Sequence, residues 1–264
     1  MKKTLALICC CALLIGLTAG CGSNADNKLV VGATAKPHAE ILEVVQPVLE
    51  KEGIDLEIKE FTDYVLLNPA LNDGEIDANF FQHIQYLEEY NEKNKQDLVW
   101  TVKVHSEPMG VYSKNFKKVE DLPDGATVGI PNDTTNGGRA LMLLEKSGII
   151  KLKEGAGLAA TDRDIAVNPK KLKIQMMDAA MLGRSLEDLD ACVINSNYAL
   201  EVNLNPVKDS IFMEDKDSPY ANVLVVRAED KDKEAIKKLG EALQSPEIKQ
   251  FLEEKYEGNC VPAF

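Results

Sequence analysis

Two stretches of this chain read alike: Asp73-Gly74-Glu75-Ile76-Asp77-Ala78-Asn79-Phe80-Phe81-Gln82 and Leu186-Glu187-Asp188-Leu189-Asp190-Ala191-Cys192-Val193-Ile194-Asn195. Each runs from an acidic loop through an aliphatic residue and Asp-Ala into a short apolar strand that ends on a polar residue. A second pair matches upstream of them, Leu29-Val30-Val31-Gly32 and Thr127-Val128-Gly129-Ile130. The offsets between partners are similar but unequal. Two related lobes with different insertions produce that pattern; a solenoid would repeat at a fixed period.

The local periodicity says what each lobe is made of. Leu29–Gly32 is a short strand, and from Pro37 to Glu52 the residues Ile41, Leu42, Val45, Val48 and Leu49 share a helical face that Gly53 ends. Ile54, Leu56 and Ile58 then alternate with Asp55, Glu57 and Lys59, a half-buried strand. Strand, helix, strand with short connections continues along the chain and predicts parallel sheets covered by helices. After Thr127–Ile130 a polar loop, 131–138, should lead into a helix carrying Leu141 and Leu144. From Asp230 onward the chain reads as two helices, the second opened by Ser245 as cap and Pro246 in the first turn. Two extended segments, Glu107–Tyr112 and Asn222–Val226, are the places where the chain would cross between lobes, so that the first lobe holds both ends of the body. The expected division is 29–108 with 224–264 for one lobe and 109–223 for the other.

Composition excludes several roles. Of 264 residues, 30 are Lys or Arg and 43 Asp or Glu, a net charge of −13, and no basic stripe offsets it, so nucleic acid is not an expected partner. Met1-Lys2-Lys3 followed by an apolar run to Leu17 has the form of an export signal, too short to span a bilayer comfortably. Small residues ahead of Cys21, in Leu17-Thr18-Ala19-Gly20-Cys21, resemble a lipobox, with Thr18 where Leu is commoner. Residues 1–20 are therefore expected to be a removed signal peptide. Cys21 should be the acylated residue and 21–28 a tether that holds a water-exposed body at the outer face of a cell membrane. Cys192 and Cys260 remain in the body, two buried thiols rather than a disulfide framework.

Ligands of open α/β sheets sit beyond the carboxyl ends of the strands. The loops there carry one arginine, Arg139, several asparagines including Asn136, Asn195, Asn197 and Asn222, the histidine His83, and aromatics at Tyr64, Phe80, Phe81 and Tyr86. That inventory suits a small zwitterion with an apolar tail. A guanidinium grips a carboxylate with two parallel bonds, amides serve both charged ends, and aromatics close around the tail. Blander readings stand beside it: Arg139 as a solvated helix charge, His83 as a structural histidine, and one of the adjacent Phe80 and Phe81 pointing into the core. No nucleophile elbow, phosphate loop or dinucleotide glycine pattern occurs. His38, His83 and His105 are scattered without metal-site spacing, so neither cofactor nor metal is expected.

The runs Val31–Leu42, Gly74–His83, Ile130–Asp133 with Asn136–Leu141, and Ile194–Ala199 resemble the NlpA lipoprotein family. The resemblance implies an α/β fold of the type 2 periplasmic-binding-protein class, two lobes with a ligand cleft and two hinge crossings. It also implies a monomeric, non-enzymatic protein that captures L-methionine or a related small zwitterion and delivers it to an ABC permease and its ATPase. By the same resemblance Arg139 is the carboxylate clamp and Asn136, Asn195, Asn197 and Asn222 contact the amino-acid backbone. Tyr64, Phe81, His83 and Tyr86 form the side-chain pocket. Another small amino acid or a methionyl dipeptide is the alternative ligand; a surface adhesion or scaffold role, or an amino-acid enzyme on the same lobes, is the alternative function.

Overall fold

The computed structural model describes residues 27–264, so the signal segment and Cys21 lie outside the described residues. The chain opens with strand β1 (Lys28–Ala33), helix α1 (Glu40–Lys51), β2 (Asp55–Glu60), α2 (Leu67–Asn72), β3 (Ala78–His83), α3 (Ile84–Asn94) and β4 (Val99–Ser106). It continues with β5 (Gly110–Tyr112), β6 (Thr127–Pro131), α4 (Thr134–Lys146), a hairpin of β7 (Lys151–Leu152) and β8 (Ile165–Val167), β9 (Lys173–Met177), α5 (Ala179–Ser185), β10 (Ala191–Ile194), α6 (Ser196–Glu201), α7 (Pro206–Asp209) and β11 (Phe212–Met213). It closes with β12 (Ala221–Val226), α8 (Glu234–Leu243), α9 (Pro246–Tyr256) and β13 (Val261–Pro262).

Two sheets carry the lobes, ordered β13-β4-β12-β3-β1-β2 and β11-β5-β10-β6-β9. They are mixed, which corrects the expectation of parallel sheets. β2, β1 and β3 run parallel, as do β9, β6 and β10, but β12 is antiparallel to β3 and β4, and β5 is antiparallel to β10. In each lobe the strand entered from the other lobe, β12 or β5, runs against the parallel set, and in the first sheet the C-terminal β13 does so as well, antiparallel to β4. The forward crossing lies between β4 and β5, at Glu107–Met109, and the return between β11 and β12, at Glu214–Tyr220. Ala221, Asn222 and Val223, assigned from sequence to the second lobe, instead open β12 of the first sheet.

The sequence repeat has a hydrogen-bonding cause. Asp77 accepts from the Val30 N–H at 2.8 Å, and Asp190 accepts from the Thr127 N–H at the same distance. Each aspartate thus satisfies an amide in β1 or β6 while the Ala after it enters the neighbouring strand. Burial follows the period-3.6 pattern in α1, where Ile41, Leu42, Val45 and Leu49 face the first lobe's core and Val48, expected with them, is 37% exposed. Separate apolar cores fill the two lobes, one around Val31, Phe80 and Leu224, the other around Val128, Ile130 and Leu144. A third cluster joins Tyr64, Leu67, Phe81 and Tyr86 of the first lobe to Tyr112, Leu182, Ile194 and Tyr198 of the second, and this cluster lines the cleft.

The segment 134–138, expected as loop, is helical. Asp133 caps α4 by accepting from the Asn136 N–H at 2.9 Å, so Asn136 and Gly137-Gly138 form its first turns. The glycines serve a close approach: a Cβ on Gly138 would lie 1.9 Å from the Leu158 carbonyl oxygen. Ser245 caps α9 through the Ile248 N–H, with Pro246 in the first turn.

Candidate functional site

The carboxyl ends of β3, β6 and β10 meet the two crossings around a small cavity lined by Tyr64, Phe81, Gln82, His83, Tyr86, Glu107, Asn136, Arg139, Asn195, Ser196 and Asn222. Phe80 and Phe81 point to opposite faces as adjacent strand residues must. Phe80 is in the first lobe's core, edge-on to His38 and His105, and Phe81 faces the cleft. The Tyr64, Phe81 and Tyr86 rings stand 5.6–6.1 Å apart, a three-sided aromatic wall. Asn197 stands just behind it rather than in the lining and accepts from the Tyr64 hydroxyl across the cleft.

His83 caps α3. Its Nδ1 accepts from the Tyr86 N–H at 3.1 Å, which places the ring proton on Nε2, 3.3 Å from Asn136 Oδ1 in the opposite lobe. Asn136 Oδ1 also accepts from Asn195 Nδ2 at 2.9 Å, and its own amide donates to Asp133. Burial, helped by the nearby Arg139 charge, pushes the His83 pKa down to about 3, so the ring is neutral at ordinary pH.

Arg139 is 4% exposed. Its guanidinium lies 4.2 Å over the Tyr220 ring. The expected two-pronged grip on a ligand carboxylate is not the arrangement present, because the fork already holds a carboxylate of the chain. Nε and Nη2 donate to Glu214 Oε1 and Oε2 at 2.7 and 2.6 Å, and Nη2 also donates to the Glu107 carbonyl at 2.7 Å. Among the described residues only Nη1 is left without an acceptor.

Sequence reasoning missed Gln82, Glu107, Ser196, Glu214 and Tyr220. Gln82 lies in a buried amide network with Asn68 and Asn79, and Ser196 donates to the Pro108 carbonyl. Glu107 is 6% exposed at the first crossing. It brings together His38 and His105, which had read as scattered: its Oε1 accepts from His105 Nε2 at 2.7 Å and lies 3.3 Å from His38 Nε2, while Oε2 accepts from the Asn197 N–H at 3.0 Å. Burial opposes ionisation of Glu107, but His38, His105 and Arg139 outweigh it and hold the carboxyl below the usual range. His38 itself is pushed down to about 4 by burial, against the pull of Glu107. The three candidate ligand atoms lie within 4.8 Å of one another, a spacing that could hold a divalent ion, but the Glu107 oxygen already fills the space between the rings by hydrogen bonding. An acidic residue inside an otherwise apolar crossing was the one signal that could have singled Glu107 out.

The cleft therefore presents a buried cation donor, a buried anion and an aromatic wall around one space, with contributions from both lobes. Together with the two crossings and the order β2-β1-β3-β12-β4, matched in the second lobe by β9-β6-β10-β5-β11, these features define a two-lobed solute-binding protein of the periplasmic type. The chain is 50% identical to a nutrient binding protein from Burkholderia cenocepacia whose structure was solved bound to methionine; the match covers 89% of this chain and 100% of that one, with a TM-score of 0.87. It is 44% identical to the methionine-binding lipoprotein MetQ of Bacillus subtilis, over 94% of each chain, and 45% identical to the D-methionine-binding lipoprotein MetQ of Salmonella typhimurium, over 92% of each. The family model of the NlpA lipoproteins matches residues 29–264, and the chain belongs to that family. No helix among the described residues is long and apolar enough to cross a membrane.

Proposed function

We propose that this chain is a lipid-anchored solute-binding protein that captures methionine between its lobes and hands it to an ABC permease. The observation that carries this reading is the charge content of the cleft: Arg139 and Glu107, both buried, line the same cavity as an aromatic wall. An α-amino acid carries a carboxylate and an ammonium one carbon apart, which two opposed buried charges recognise at once. Neutral Asn136, Asn195 and Asn222 supply the remaining donors and acceptors. The thioether tail lies against Tyr64, Phe81 and Tyr86, where burying it is worth roughly 1.5–3 kcal/mol. Names and ligands of the relatives support the same class.

Closure follows from where these groups sit. Tyr64, Phe81 and His83 belong to the first lobe, Asn136 and Arg139 to the second, so a bound zwitterion touches both lobes only when they are together and biases that state. The proposed role is binding without turnover, which the names of the relatives as binding proteins support. Titration calorimetry with L-methionine, D-methionine, the other common amino acids and methionyl dipeptides tests the reading. Heat from methionine and recovery of unaltered ligand mass are expected, and silence toward all of them refutes the ligand class. The D-isomer is included because a relative at 45% identity is named for it. Anchoring rests on Cys21, and Cys21→Ser should release the protein from membranes into the soluble fraction.

A further inference from the structure

The return crossing starts at Glu214, and this one side chain touches the forward crossing, the return crossing and Arg139. Its Oε2 accepts from the Met109 N–H of the forward crossing at 2.9 Å, and its own N–H donates to the Met109 carbonyl at 2.9 Å. Ser218 Oγ, further along the return crossing, lies 3.4 Å from Oε2. Both carboxylate oxygens hold Arg139, at 2.7 and 2.6 Å, and Glu214 is only 12% exposed. The two crossings are thus pinned to each other and to the guanidinium at a single carboxylate.

We infer that Glu214 is a positioning residue for ligand capture, presenting only the Nη1 end of Arg139 to the ligand carboxylate and tying that guanidinium to both strands of the hinge. Without it the planar fork is free to swing on its long side chain, and the ligand has to order it at the moment of binding. The Tyr220 ring, which sits under the guanidinium and also belongs to the return crossing, braces the same orientation from below. The electrostatic argument points the same way. An arginine already half-neutralised by an internal carboxylate is not an obligatory anion trap, so tight binding needs the ammonium side at Glu107 as well, which favours zwitterions over simple carboxylates.

The inference rests on the reading that Arg139 receives the ligand carboxylate, and a double-mutant cycle tests it. Methionine affinity is measured by calorimetry for the wild type, Glu214→Gln, Arg139→Lys and the double variant, with thermal shift at millimolar methionine where binding is weak. Glu214→Gln should weaken methionine roughly tenfold to a hundredfold, and that loss should shrink to about twofold or less on the Arg139→Lys background. Glu214→Asp, which keeps the charge but falls short of one partner, should lose less, and it carries the test if the Gln variant does not fold. Equal losses from Glu214→Gln on both backgrounds would show a general structural role and overturn the inference. Wild-type affinity in both the Gln and Asp variants would also overturn it while leaving the proposed function standing. A wild-type protein that ignores methionine overturns both together.

Discussion

At the scale of single residues the cleft works because its charges are few, buried and partnered. Burial penalises an isolated ion heavily, so Arg139 survives against Glu214, and Glu107 against the hydrogen bond from His105, while His83 and His38 stay neutral. Acid should undo this arrangement. Both histidines have folded pKa values, about 3 and about 4, below the unfolded value near 6.5. The stability this difference contributes is complete above pH 6.5 and is lost as pH falls toward 4, by up to about 1.4 kcal/mol per pH unit for each histidine. Glu107, also depressed, acts in the same direction below its ordinary range. Thermal melts from pH 7 to pH 4 should show a falling midpoint, with a shallower fall in His83→Gln; a midpoint that stays level would contradict it. Glu107→Gln removes the cleft's anion and leaves Arg139 less compensated, and should cost methionine affinity by roughly 2–5 kcal/mol, read by calorimetry.

At the scale of elements, the position of Arg139 depends on how α4 begins. Asp133 caps the helix and fixes its first turn, Gly137 lets that turn approach the Pro131 carbonyl, and Gly138 lets it lie against Leu158 of the 157–159 segment. Gly138→Ala would drive a methyl group into the Leu158 carbonyl and should destabilise the second lobe by roughly 1–3 kcal/mol, visible as a lower melting midpoint. Its methionine affinity should fall as well, since the displaced turn carries Asn136 and Arg139. The cap of α9 lies far from the cleft and gives the contrasting case: Ser245→Ala should cost about 1 kcal/mol of stability and leave affinity unchanged.

At the scale of the whole molecule the lobes meet through groups that are polar at the edge and aromatic within. Tyr64 donates to Asn197, His83 to Asn136, and Tyr198 to the Thr62 carbonyl at 3.3 Å, each bond joining one lobe to the other. Bonds that join the two lobes hold the cleft shut and therefore act on how long the ligand stays. Tyr64→Phe keeps the ring against Phe81 and Tyr86 but removes the bond to Asn197, and should speed release of labelled methionine severalfold in a chase experiment with little change in the capture rate. An unchanged release rate would mean that this bond does not hold the lobes together.

Much of this was legible without coordinates, for a physical reason. Strand alternation, helical faces, caps and the Asp-Ala repeat are all local patterns, set by the geometry of a few consecutive residues, so the alternating α/β grammar and two related halves could be read directly. The loops at strand ends together with the family resemblance pointed to Tyr64, Phe81, His83, Tyr86, Asn136, Arg139, Asn195, Asn197 and Asn222, and all but Asn197 line one cavity. Local patterns carry no information about partners far apart in the chain. The strand directions after each crossing, the helical start of α4 at 134–138, and the earlier return at Glu214–Tyr220 were settled by how the lobes pack. So were the gathering of His38 and His105 around Glu107 and the occupation of the Arg139 fork by Glu214. Local patterns in the chain were enough to set the elements, the two lobes and the kinds of group available to a ligand. Which charges neutralise one another was set by packing, because that depends on burial and on distances between residues that meet only when the chain is folded.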